Sequence, residues 1–186
     1  MGRMTYWMNV SLDLRIGRSA GDHVADEGGG EWVRIDERLF REFNERARGL
    51  ALFVEGRIIY EMMETVWPSA AEDESLPDHL REWGKLWTAA PKILVSNSRT
   101  TASHNTRIVG GADAITQLAA IRDETDGTIG VGGATLATQL LQHGLMSCCS
   151  TPTRRSWDRA DLSSTRSPNR WSVTCSSTLH SRAAWP

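Results

Sequence analysis

The sequence predicts an α/β domain, a mainly parallel sheet with helices on both of its faces. Three observations predict it. Short apolar runs of strand length alternate with amphipathic segments of helical period. Most runs stop at a glycine or a small polar cluster, as strand ends do. The last unit, "GVGGATLATQLLQHGL", passes from strand to helix through paired glycines, the junction that a βα repeat requires.

Taken in order, "MTYWMNV" is rich in aromatic and other strand-favouring residues and reads as a first strand. "SLDLRIGRSAGD" follows, and Gly17 and Gly21 mark it as a loop. "IDERLFREFNERARGL" carries Leu39, Phe40, Phe43 and Ala47 at helical spacing, with Asp36 as its N-cap. "LALFVE" is a strand that stops at Gly56, and "RIIYEMMETVW" a short helix. "LPDHLREWGKLW" is a further helix with Leu80, Trp83 and Trp87 on one side, which makes the tryptophans core or pocket wall. "PKILVS" and "NTRIVG" are strands, "ADAITQLAAIRDE" a helix, "GTIGVGG" a strand and "ATLATQLLQHGL" a helix closed by Gly144.

Composition narrows the function classes. With 186 residues, one domain with one core is expected. A net charge of −2 argues against a general nucleic-acid binder, and no apolar run approaches the ~20 residues that span a bilayer. The start, "MGRMTYWMNVSLDLRIG", lacks the pattern of a secretion signal. A cytoplasmic protein with neither nucleic-acid nor membrane partners is expected. The histidines show no ligand spacing, and Cys148–Cys149 lacks that of a zinc site, so no metal is expected.

Ligands of open parallel sheets sit at the carboxyl ends of strands, and three such ends carry polar chemistry. At Gly132–Gly133 the backbone can approach a phosphate closely, and the helix that begins at Ala134 and Thr135 adds positive potential. The alternative is a tight turn without a ligand. Arg57 after Gly56, and Ser96, Ser98 and Arg99 after "KILV", add cations and hydroxyls suited to a nucleotide 2′-phosphate.

"VSLDLRIG", "EGRIIYEMM…VWP", "KILVSNSRT", "NTRIVGG" and "GVGGATLATQLLQHGL" occur in an order that resembles the dihydrofolate reductase-like proteins related to the C-terminal reductase domain of bacterial riboflavin biosynthesis. The resemblance covers almost all of residues 4–146. It implies a dihydrofolate reductase-like fold, NADPH as cofactor and hydride transfer to a pyrimidine, pterin or related small substrate, as in 5-amino-6-(5-phosphoribosylamino)uracil reductase, in a homodimer. By position, Gly56, Arg57 and the Ser96–Arg99 stretch would hold the 2′-phosphate. Gly132, Gly133, Ala134 and Thr135 would cradle the pyrophosphate, and Ser11, Asp13, Ile16 and Gly17 would line the nicotinamide and substrate side. Leu14 stands where the family often has Gly, Ile59 where it often has Thr or Met, and Asn97 where many members have Arg. No catalytic residue is assigned; Asp13 and Glu37 are the acids considered as proton donor. The alternatives are a nucleotide-binding module without turnover and an inactive fragment.

That last alternative arises because the chain changes character after Met146. Up to that residue it has 15 basic and 21 acidic side chains; beyond it, six and two, with all three cysteines. The stretch "SCCSTPTRRSWDRADLSSTRSPNRWS" has neither strand nor helix period and reads as a disordered tail, giving a nucleotide-binding domain over 1–146 and an aberrant segment over 147–186. The genetic code suggests why. If each codon takes its first base from the end of the one before, Cys148, Cys149 and Trp157 all become Leu, Val or Met, and the single Trp codon forces Gly at position 158. One consistent choice of synonymous codons yields "ELLLYTHPAVLGPGGPLFDEKPQPLE", the strand and "G-x-G-x-PLF" loop that the family would place here. A frameshift near Met146–Ser147 is therefore expected, leaving the final strands missing or altered.

Overall fold

Alternation along the strands sorts their side chains into two layers. In the computed structural model, which describes residues 1–10, 35–146 and 171–176, the elements are β1 (Arg3–Val10), α1 (Glu37–Arg48), β2 (Leu50–Gly56), α2 (Arg57–Glu72), α3 (Asp78–Ala89), β3 (Lys92–Val95), β4 (Thr106–Val109), α4 (Ala114–Glu124), β5 (Thr128–Gly132), α5 (Ala134–Gln142) and β6 (Trp171–Ser176). The sheet order is β4-β3-β2-β5-β1-β6. β1 to β5 run parallel, and only β6 pairs antiparallel, against β1. The α/β class with a mainly parallel sheet is thus present.

Met4, Leu52, Val54, Ile93, Ile129 and Val131 face one side, where they bury Leu118 of α4 and Leu136 and Leu140 of α5. Phe53, Leu94 and Glu55 face the other, against Ala47 of α1, Tyr60 of α2 and Trp83 and Trp87 of α3. Chain direction explains the division. α2 and α3 carry the chain outward from β2 to β3, whereas α4 carries it back from β4 to β5. Crossovers of one hand moving in opposite directions must lie on opposite faces. Helices flank both faces, as expected.

Local signals behave as the sequence suggests at several points. The Asp36 side chain accepts from the Leu39 N–H at 2.9 Å and starts α1. Gly144 (φ +69°) ends α5, with Leu145 N–H donating back to the Leu140 carbonyl at 2.9 Å. α2 differs: expected to stop near Trp67, it runs through Pro68 to Glu72. The reason is tertiary. A Cβ at Gly84 would lie 2.6 Å from the Trp67 carbonyl and 2.8 Å from Ala71 N. Glycine there lets α3 press against the last turns of α2, and that packing outweighs the bond lost at proline.

The tail departs from the expectation as well. Disorder was expected throughout 147–186, yet Trp171–Ser176 forms β6 and covers the β1 edge from Thr5 to Val10. A β edge with a free row of donors and acceptors is a template for pairing, and this segment fills it. The rest of the tail lies outside the described residues. Among the described residues no helix is long and apolar enough to cross a membrane.

Candidate functional site

The sheet order creates a crevice. β2 and β5 are neighbours, but β2 leads into α2 on one face and β5 into α5 on the other. Such a point, where adjacent connections leave in opposite directions, opens a cleft at the carboxyl ends of the strands. Register aligns three ends there: Gly56 pairs with Val95, and Glu55 with Gly132.

The glycines let the two turns approach each other closely, with Ile59 and Leu136 beside them. Gly133 adopts φ +102°, a conformation L side chains rarely adopt. A Cβ built on it would sit 3.8 Å from both Cα and N of Gly56, so the β2–α2 and β5–α5 turns lie against each other. Neither α2 nor α5 has a side-chain N-cap or an acid in its first turn. Two helix N-termini thus bring uncompensated N–H groups to one place. Thr135 is exposed beside them.

The cations converge on the same side. Arg57 Nη1 lies 2.9 Å from Glu61 Oε2, and Arg99 Nη1 lies 3.5 Å from Glu61 Oε1. Arg99 Nη2 also meets Glu64 at 3.1 Å, and that bond raises the guanidinium above its ordinary pKa. Its guanidinium rests over the Tyr60 ring at 5.7 Å. The phenol in turn donates to the Ser103 carbonyl at 3.0 Å and accepts its N–H at 3.1 Å, pinning the β3–β4 loop to α2.

The serines divide their work. Ser96 is buried, and its Oγ accepts from the N–H groups of Ser98 (3.2 Å) and Arg99 (3.1 Å). It shapes the turn, leaving the exposed Ser98 hydroxyl to face solvent. Asn97 Oδ1 accepts from Gly111 N–H at 2.7 Å and ties that turn to the end of β4.

Of the residues expected to form the site, Gly56, Arg57, Ser96, Ser98, Arg99, Gly132, Gly133, Ala134 and Thr135 all lie at these three adjoining strand ends. Ser11, Asp13, Ile16 and Gly17, together with Leu14, lie outside the described residues. Glu37 is exposed in the first turn of α1, where it pairs with Arg41 at 2.7 Å.

Sequence reasoning missed a buried polar group directly beneath the cleft. Glu55 is 4% exposed; its Oε1 accepts from Trp87 Nε1 at 3.0 Å, and its Oε2 has no partner among the described residues. Burial pushes its carboxyl up to about 7, against the opposing pull of the indole bond and Lys92. Lys92, 2% exposed, donates to the carbonyls of Trp87 and Ala90 and stands 4.6 Å over the Trp87 ring. Burial lowers it to about 8, with Glu55 pulling the other way. The available signal was an acid closing an otherwise apolar strand, in "LALFVE".

The arrangement defines a class: an open parallel α/β sheet with an anion-compatible crevice at a reversal of strand order. No protein-family model and no curated protein matches the sequence.

Proposed function

We propose that the crevice holds NADPH and that the chain is a reductase of the dihydrofolate reductase-like type, related to the reductase domain of riboflavin biosynthesis. The observation that carries the reading is the meeting of the Gly56–Arg57 and Gly132–Gly133 turns, with Arg99 reaching in from the neighbouring strand end. The pyrophosphate suits the N–H groups of Gly133, Ala134 and Thr135 at the start of α5, which has no side-chain cap and no acid in its first turn. The 2′-phosphate suits Arg57, Ser98 and Arg99. When bound, NADPH supplies the hydride; the protein's share is to hold and orient it against a pyrimidine, pterin or related small substrate. The resemblance extends the proposal to a cytoplasmic homodimer.

A nucleotide-binding module without turnover is the second reading. It is favoured by the acids around the cleft, since Glu61 and Glu64 are ion-paired and Glu55 is sealed from solvent. Titration with NADPH, followed by tryptophan fluorescence, tests both readings. A saturable change is expected, and none from folded, soluble protein would end them together. NADPH oxidation with pteridine and ribosylaminopyrimidine substrates then separates them. Both assays are to be run on this chain and on a version with the frame restored after Met146. Binding without turnover in the restored chain would leave only the module.

A further inference from the structure

Resting on the nucleotide reading of the cleft, we propose that Glu61 sets how strongly the site discriminates a phosphorylated from an unphosphorylated adenosine ribose. It does so by occupying the place between Arg57 and Arg99 that a phosphate would take. The two oxygens of this one carboxylate are divided between two guanidiniums, Oε2 at 2.9 Å from Arg57 and Oε1 at 3.5 Å from Arg99. A phosphate gripped by both arginines would make contacts of the same kind.

The placement follows from helix geometry. Arg57, Glu61 and Glu64 recur at spacings of four and three along α2, so they share one face of the helix. Arg99 comes from the β3–β4 loop, held over that face by Tyr60 and by Glu64. Two guanidiniums and two carboxylates make the group neutral overall. Arg99 has a second carboxylate, Glu64, whereas among the described residues Arg57 pairs with Glu61 alone. Glu61 is also the half-exposed member, at 36% against 25% for Glu64, and is free to swing toward solvent.

The charge arithmetic gives the direction. A 2′-phosphate entering this neutral cluster meets two carboxylates and gains the arginines only as Glu61 leaves. A ribose bearing a free 2′-hydroxyl can instead donate to the carboxylate, the usual role of an acid at that position in dinucleotide sites. Glu61 therefore weakens NADPH and favours NADH, narrowing a preference that Arg57 and Arg99 alone would make wide.

The test is the affinity of NADPH and of NADH for the wild-type chain, Glu61→Gln and Glu61→Ala, measured by tryptophan fluorescence at fixed salt. Circular dichroism on each variant checks the fold. The ratio of NADPH to NADH affinity is expected to rise roughly fivefold or more in both variants, the scale of one partly exposed charge pair. Adenosine 2′-phosphate is expected to gain in parallel, and adenosine 5′-phosphate, whose free 2′-hydroxyl loses the carboxylate acceptor, to weaken as NADH does. An unaltered ratio, with both dinucleotides still binding, overturns the role of Glu61 and leaves the cleft assignment standing. No binding of either dinucleotide by folded wild type or variants removes the cleft assignment itself, and this inference with it.

Discussion

Two charged clusters each take a member from the β2–α2 unit, Glu55 in one and Arg57 in the other, and they are built from the same kinds of side chain. The outer one joins Arg57, Glu61, Arg99 and Glu64 at half-exposed positions, each ion bonded to at least one opposite charge. In the inner one Glu55 and Lys92 both contact Trp87 and are almost wholly buried, and one carboxylate oxygen has no partner among the described residues. Water screens the outer ions, so their pairing adds little stability and can be exchanged for another anion. The inner ions have lost their hydration, and each depends on the other and on the indole they both contact. Chemistry alike in composition thus leaves exchangeable charges in one place and constrains folding in the other.

The largest effect is expected from breaking the inner cluster. Lys92→Met leaves Glu55 buried without its cation and leaves the carbonyls of Trp87 and Ala90 without their donor. It should cost about 4 kcal/mol in urea unfolding at pH 8, the scale for orphaning one member of a buried pair. An unchanged midpoint would mean that the two charges do not support each other.

Next comes pH. Glu55 keeps its proton up to about pH 7 in the folded chain but releases it near 4.5 when unfolded. The folded state therefore binds more protons across that window, and stability falls as pH rises through it, by about 3 kcal/mol for the full shift. Lys92 acts in the opposite sense. Its folded pKa of about 8 lies below its ordinary 10.5, so the unfolded chain binds more protons between those values and stability rises with pH there. Unfolding midpoints should pass through a minimum near pH 7–8, and Glu55→Gln should flatten the acid arm. A profile identical to the wild type in that variant would assign the slope to other groups.

Trp87→Phe is expected to cost about 2 kcal/mol, because it removes the single donor to a buried acid while nearly preserving the packing. Arg57→Ala stands at the other end. It should move the thermal midpoint by less than about 2 °C, yet weaken NADPH at least tenfold if the cleft reading holds. A stability loss equal to that of the inner variants would erase the contrast between the clusters.

Much of the fold was legible because it rests on local pattern. The strand lengths, the Asp36 cap, the glycine that closes α5 and the βα junction at Gly132–Gly133 are all written in neighbouring residues. What escaped depends on distant ones. β5 inserts between β1 and β2, a choice made by the crossovers and by the whole apolar pattern rather than by any single strand. α2 continues through Pro68 because Gly84, on another helix, leaves it room. Lys92 opens a strand and Glu55 closes one, and nothing in their neighbours along the chain shows that both meet Trp87, which comes from α3. Glu61 drew no reading from the sequence, since its second arginine comes from a loop 38 residues away. The pairing of β6 with β1 had a local signature, the strict alternation of "WSVTCS", but it begins within the aperiodic stretch ending at Ser172, which dominates the reading of the whole tail.

The end of α5 bears on the abrupt change of sequence after Met146. Leu145 and Met146 are both buried in the α4–α5 layer, and the left-handed turn at Gly144 sets the direction in which they enter it. Among the described residues, they are the last side chains anchored in this layer, seated just before the sequence changes.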